Sequence, residues 1–374
     1  MRSFFSSNKG LAFAIIIIVL FIIQEQPHSP VLHARGMKPK VLIFSAIDIY
    51  YVADNVQKWG EDVGANGFLF SHIAEWWTTK EKLADNLDVL REVNRKGAKH
   101  GLDSNFIKVA IGYSELPVWT DDKAWANVVE NFRNIAELIK QTGTKGIAID
   151  TEPYSVALFD SKAARFRMID NDILKRKIYQ RGREIMQAIT EVFQDIEVII
   201  LPEGAFYWFN PDQGTMANAY ELWIDFFDGM ASVKNRSGIV VAGERTYSVV
   251  DRLSVIKIYR MTDETMQTHA KDPAFWKEKC SIALGMWPLG KEYHDKSARY
   301  PVSDFREQFA QAAALSPKYV WIYDHGTAWF QLSKEEAEKY TKDGRWIWEK
   351  RYQVLPAVPN IDEYYTVLRE HRKR

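Results

Sequence analysis

The chain has 374 residues, 47% hydrophobic and 26% charged, a composition that builds a sizeable core and excludes disordered and collagen-like classes. Its 49 Lys and Arg balance 49 Asp and Glu for a net charge of zero, which excludes the basic surface of a nucleic-acid binder. A single cysteine, Cys280, excludes an internal disulfide and any zinc site built from several thiolates.

At the N-terminus, Arg2 and Lys9 precede an uninterrupted apolar run from Leu11 to Ile23. The run is short for a membrane span and matches the h-region of a signal peptide. Ala34 is the best candidate for the last residue removed, an uncleaved membrane anchor is the alternative, and no Cys follows to carry a lipid. The expected organisation is a signal peptide or N-terminal anchor over residues 1–36 and one domain over 37–374, secreted or periplasmic.

From there the chain alternates short apolar runs with amphipathic stretches, and no low-complexity linker separates them. Strands are predicted at Val41–Ser45, Gly67–Phe70, Phe106–Ile111, Gly146–Asp150, Glu197–Leu201, Ile239–Ala242, Ser281–Met286 and Tyr319–Tyr323. Most lack a period of two, as parallel strands covered on both faces do. Three- and four-residue apolar spacing predicts helices over Lys82–Lys96, Trp125–Gln141, Arg176–Phe193, Ala219–Met230, Val249–His269 and Phe305–Leu315. Asp121, Asp122 and Asp304 sit where helix N-termini favour acids. Eight parallel strands with crossover helices between them specify an α/β fold, a single (β/α)₈ TIM barrel. A doubly wound sheet would carry a Gly-rich phosphate loop, and the chain has no G-x-G-x-x-G and no P-loop. The segment from Ile361 to Arg372 is expected to pack as a helical C-terminal extension, together with Trp346, Trp348 and Tyr352.

Barrel chemistry collects at the C-terminal ends of the strands, and here those ends are rich in carboxylates. The sharpest feature is Lys145-Gly-Ile-Ala-Ile-Asp-Thr-Glu-Pro-Tyr154. Asp150 and Glu152 are two apart, so on extended chain they share one side, and crowded carboxylates retain a proton that a general acid needs. A buried polar pair satisfied by other groups is the structural alternative. Glu203, after the fifth strand, and Glu244, after the sixth, are the candidates for a second acid, with an ion pair to Arg245 as the bland reading. The seventh strand ends in Gly285-Met-Trp-Pro and offers no acid.

The Asp150/Glu152 stretch resembles the fourth-strand signature D-G-x-D-x-D-x-E of family 18 glycoside hydrolases, the chitinase-like barrels. Gly146, Asp150 and Glu152 match it, whereas Lys145, Ala148 and Thr151 depart from it. The resemblance implies Glu152 as proton donor and Asp150 as its modulator, orienting a substrate acetamido group. Asn131–Tyr154 is also similar to uncharacterised bacterial barrel proteins grouped with glycosidases.

Aromatic residues supply a second line, since sugar rings stack on Trp and Tyr. The chain has 13 Trp and 17 Tyr, and many fall at strand ends. Tyr154, Tyr247, Trp208, Trp287 and Trp329 are expected to bind substrate, with Asp324 and His72 beside them. Ordinary packing is the alternative for any single aromatic, and it is the expectation for Trp321, in mid-strand, with Trp76, Trp119 and Tyr207 in the same strand-end set. Asp48, His72 and Glu75 have a spacing that fits no metal motif. Asn235-Arg-Ser237 matches an N-glycosylation sequon, meaningful only in a eukaryotic secretory pathway.

The expected function is an exported glycoside hydrolase acting on a poly- or oligosaccharide by carboxylate catalysis through Glu152, Asp150, Glu244 and Glu203. No cofactor and no metal are expected, and the membrane enters only through the N-terminal segment. The competing readings are a carbohydrate-binding chitinase-like barrel without catalysis and a metal-dependent hydrolase built on Asp48 and His72.

Overall fold

Eight parallel strands follow one another around a closed barrel in sequence order. They are β1 (Lys40–Ser45), β2 (Gly67–Glu75), β3 (Phe106–Ala110), β4 (Gly146–Asp150), β5 (Glu197–Leu201), β6 (Ile239–Gly243), β7 (Ser281–Met286) and β8 (Tyr319–Asp324). β8 closes onto β1 with Lys40 opposite Tyr319 and Ser45 opposite Asp324. The structure, a computed structural model, describes residues 38–45, 47–76, 80–110, 117–152, 157–209, 218–289, 299–324, 329–332, 335–336 and 358–373. The segment 1–36, expected as a leader or anchor, lies outside the described residues, as do Trp346, Trp348 and Tyr352. Among the described residues no helix is long and apolar enough to cross a membrane.

The fold is the expected (β/α)₈ TIM barrel with a C-terminal helix. The largest difference is in β2, which continues past Phe70 to Glu75 after a shift of register against β3 between Phe70 and Ala74, a bulge that bends the strand and carries it further. The helix predicted over Lys82–Lys96 is two helices, Lys80–Ala84 and Leu87–Gly97, parted where the Asn86 N–H bonds back to Leu83 O. The helix expected from Ala219 begins at Trp223, because Leu222 N–H is spent on Phe159 O in the loop after β4. Asp121, Asp170 and Asp251 each accept an N–H of the first turn of the helix that follows, the expected chemistry of an N-cap.

Two cores result. The outer one lies between strands and helices and holds Trp76, Trp119 and Trp125, with Trp119 and Trp125 stacked at 4.5 Å. The inner one fills the barrel with Leu42, Phe44, Leu69, Phe106, Ala148, Ile199, Leu201, Val240, Ala242, Ala283, Tyr319 and Trp321. Every second residue of a strand faces inward, so these positions define the inward row on each strand. Trp321, 1% exposed, shares this inner core with the small Ala148, Ala242 and Ala283 and donates its indole N–H to Ala283 O at 3.1 Å. Gly285 is required beside it: a Cβ there would stand 2.7 Å from the Trp321 ring and 2.8 Å from Tyr247. At the other end Tyr319 packs edge-on to Phe106 and donates to Glu197 Oε2 at 2.8 Å.

The C-terminal helix, Ile361–Lys373, packs on the barrel. Tyr364 and Leu368 are buried in the outer core, while Arg372 donates to Gly60 O and, at 2.8 Å, to His100 O.

Candidate active site

The inward rows continue past the apolar core to the C-terminal mouth of the barrel. Two residues beyond Phe106 stands Lys108. Asp150 lies two beyond Ala148, and Glu152 two beyond Asp150. Glu203 and Glu244 follow Leu201 and Ala242 by two, and Trp287 and Tyr323 follow Gly285 and Trp321 by two. Period-two geometry thus assembles one ammonium, four carboxylates and two aromatic rings from six strands.

On the β3–β4 side, Lys108 Nζ lies 2.6 Å from Asp150 Oδ2. Both residues are buried, at 8% and 1% exposure, and the ammonium also stands 4.9 Å from the centre of the Phe44 ring. Asp150 Oδ1 accepts the Glu152 N–H at 3.0 Å. Thr151, between the two acids, points to the opposite side. Its hydroxyl donates to Leu201 O at 2.8 Å and accepts the Trp223 indole N–H at 2.9 Å. The strand end that carries Glu152 is therefore held from both faces.

On the β5–β6 side, the buried Glu203 carboxylate accepts two backbone N–H groups, from Glu244 at 2.7 Å and from Arg245 at 2.9 Å. Burial pushes the Glu203 carboxyl above its ordinary range, against those hydrogen bonds and the nearby Arg245 charge. Glu244 is pushed well above its range, by burial first, then by the negative charges of Glu152, Glu203 and Asp150, with Lys108 opposing. A carboxyl among carboxylates in a desolvated site keeps its proton, and a group in that state is a general acid.

Aromatic rings wall the remaining side. Tyr247 stacks on Tyr323 at 5.4 Å and meets Trp287 edge-on at 5.8 Å, while Trp287 and Tyr323 are 4.9 Å apart. Burial and the Glu244 charge hold the Tyr247 hydroxyl protonated far above its usual range. Behind Glu203, Tyr207 and the fully buried Tyr220 stack at 5.0 Å.

The structure brings together Asp150, Glu152, Glu203, Glu244, Tyr247 and Trp287. It separates others. Asp324 follows Tyr323 and so points to the outer layer, where its Oδ2 accepts the Trp329 N–H at 3.2 Å. Trp329, expected as a cleft residue, is wholly buried in the outer core against Phe305, Tyr364 and Tyr365. Trp208 packs half-buried against the outer core, edge-on to Phe209. Asp48 is the N-cap of the Ile49–Asp54 helix, accepting Tyr50 N–H at 2.7 Å. The backbone of His72 lies in the extended part of β2, and its side chain, like Tyr154, lies outside the described residues. Sequence reasoning missed Lys108, although a lone charge within Phe-Ile-Lys-Val-Ala was visible, and it missed Tyr220, which carries no local signal.

No protein family matches the chain, and no curated relative does. Solved structures do match it. An exo-β-1,4-mannosidase from Opitutaceae bacterium strain TAV5 is 10% identical over 90% of this chain, with a TM-score of 0.53, and this chain spans 60% of that protein's length. A family 18 chitinase from Pseudoalteromonas aurantia is 10% identical, covering 76% of this chain and 93% of its own, with a TM-score of 0.44. A 3-keto-D-glucoside 4-epimerase from E. coli is 13% identical, covering 83% and 99%, with a TM-score of 0.43. The chain shares its fold with the mannosidase. At these identities the likeness is one of fold, and a barrel of this kind hosts many chemistries.

Proposed function

We propose that the chain is an exported glycoside hydrolase whose working carboxylates are Glu152 and Glu244, with residues 1–36 as its leader or membrane anchor. One observation carries the reading: Glu244 is driven to hold a proton by burial and by Glu152, at a barrel mouth walled by Tyr247, Trp287 and Tyr323. We assign Glu244 as the acid and Glu152 as the base, an exchange of the roles implied by the family 18 resemblance.

In this mechanism Glu244 delivers its proton to the glycosidic oxygen as the C1–O bond breaks. Glu152, as the base, faces the oxocarbenium-like centre and takes up a proton from the water whose oxygen joins C1. Transfer of that proton back to Glu244 resets the site, so one water is consumed per bond cleaved. Glu203 holds the backbone of Glu244 in place, and the aromatic wall offers ring faces to the sugar.

The test is reducing-sugar release from a broad polysaccharide panel by protein from about residue 37 onward, which holds the whole closed barrel. Activity that falls by about 10²–10⁴-fold in both Glu152→Gln and Glu244→Gln matches the loss of a general acid or base. Activity unchanged in either variant would remove that residue from the mechanism. Sugar binding without turnover would instead favour a carbohydrate-binding barrel.

A further inference from the structure

The segment that carries Glu244 and Tyr247 is neither strand nor helix. Beyond β6 it runs through two successive turns, with the Tyr247 N–H bonded to Glu244 O at 3.0 Å and the Val249 N–H to Thr246 O at 3.1 Å, so neighbouring elements must hold it. Glu203 accepts the N–H groups at its start. Its far side is held by a residue that the mechanism does not use. Gln308, on the helix Val302–Leu315, is 0% exposed, and its Nε2 donates to Thr246 O and to Val249 O, each at 2.7 Å. Two carbonyl acceptors fix which end of the amide is the nitrogen. The Thr246 hydroxyl in turn donates to Gly285 O at 2.7 Å, and Tyr300 Oη donates to Tyr247 O at 3.2 Å.

Gln308 is an unusual choice for packing. The other buried residues of its helix are Phe305, Phe309 and Ala312, and its own Oε1 has no hydrogen-bond partner among the described residues. A buried acceptor left unmet costs stability, and an apolar side chain of the same shape would remove that cost. What an apolar side chain cannot supply is the pair of N–H donors aimed at the turns that present Glu244 and Tyr247.

We infer that Gln308, together with Tyr300, is a positioning residue that sets Glu244 and Tyr247 at the barrel mouth, so that the helix after β7 supports the chemistry of the β6 end. The effect on turnover rests on the hydrolase reading above; the hold on the segment rests on the hydrogen bonds alone. A general acid works only within hydrogen-bond reach of the oxygen it protonates, and a displacement of about 1 Å can lower the rate by about 10²-fold. Glu203 holds the segment by its N–H groups and Gln308 by its carbonyls, so loss of either leaves one side of the turns unsupported.

The experiment replaces Gln308 with Met in the full chain, which keeps the length of the side chain and removes both donors. Amide hydrogen exchange read by mass spectrometry should be about tenfold faster over residues 244–249, as expected for the loss of two hydrogen bonds, and unchanged in β1 to β4. On a polysaccharide that the wild-type chain cleaves, kcat should fall by about 10–10²-fold. In a Glu244→Gln background the same substitution should lower kcat no further, because the acid it positions is already gone; a merely structural role would subtract the same factor in both backgrounds. Should Gln308→Met fail to fold, Tyr300→Phe removes a separate bond to the same segment and gives the same two readings. Unchanged exchange over 244–249 would overturn the inference whether or not the chain cleaves sugar. Equal losses of kcat in the two backgrounds would overturn it and leave the hydrolase reading standing. Faster exchange there, with no turnover by the wild-type chain, would overturn the hydrolase reading and not the hold on the segment.

Discussion

Glu203 and Glu244 are joined through the backbone. The Glu244 N–H donates to Glu203 Oε2 at 2.7 Å and the Arg245 N–H to Oε1 at 2.9 Å, so one buried acid holds the chain that presents the other. Replacing Glu203 with Ala removes both acceptors and should destabilise the fold by about 1–3 kcal/mol. Glu203→Gln keeps one acceptor and should cost less. The urea midpoint at neutral pH measures both, and an alanine variant as stable as wild type would show that the two bonds contribute nothing.

The proton on Glu244 should be visible directly. Its carboxyl is raised by burial and then by the Glu152 charge, so a protonated carboxyl band is expected near neutral pH in the infrared difference spectrum. The band should vanish in Glu244→Gln and should titrate at lower pH in Glu152→Gln, where the neighbouring negative charge is gone. In wild type, kcat/KM should fall on the alkaline side as this proton is lost. A wild-type spectrum without the band would dispose of Glu244 as the proton carrier.

Asp228 offers a test of stability against pH away from the site. It is 5% exposed, accepts the Lys271 N–H at 2.9 Å, and has its carboxyl pushed up from 3.8 to about 6, by burial first. The folded state therefore holds the proton more tightly than the unfolded one. Stability is full below the unfolded value and is lost as pH rises through about 6, by about 3 kcal/mol. Asp228→Asn keeps the acceptor without the charge. It should raise Tm at mildly alkaline pH and leave it nearly unchanged in acid; an equal effect at both would contradict the assignment.

Tyr220 is wholly buried, and its hydroxyl has no hydrogen-bond partner among the described residues. A buried hydroxyl without a partner costs about 1–3 kcal/mol. Tyr220→Phe should therefore be more stable than wild type by about 1 kcal/mol or more. Loss of stability on this substitution, measured by thermal unfolding, would show that the hydroxyl is satisfied after all.

Gly204 allows the Trp223 ring to approach: an added Cβ would stand 2.3 Å from it. Trp223 in turn bonds Thr151, between Asp150 and Glu152. Gly204→Ala should cost about 1–3 kcal/mol through overpacking and lower kcat as the end of β4 shifts. Full activity at reduced stability would mean that Trp223 supports the fold without positioning Glu152.

The strands, the closed barrel and the pairing of Asp150 with Glu152 on one side of β4 were legible from the amino-acid order, because alternation and apolar run length are local properties of an extended chain. The same rule, applied to β8, would have turned Asp324 outward once Tyr323 was known to face in. What a single strand cannot report is which residue of another strand it meets. Lys108 finds Asp150 from 42 positions away, and Glu203 finds the Glu244 N–H from 41. Those meetings depend on the stagger of neighbouring strands and on small residues such as Gly285 that admit large ones. Trp329 followed the same logic in reverse: its position after β8 suggested a cleft, but Phe305, Tyr364 and Tyr365 enclose it. The local pattern thus determined the barrel and the strand ends where acids would gather. Only the packed structure decided which acids lie together, since that depends on which strands it sets side by side.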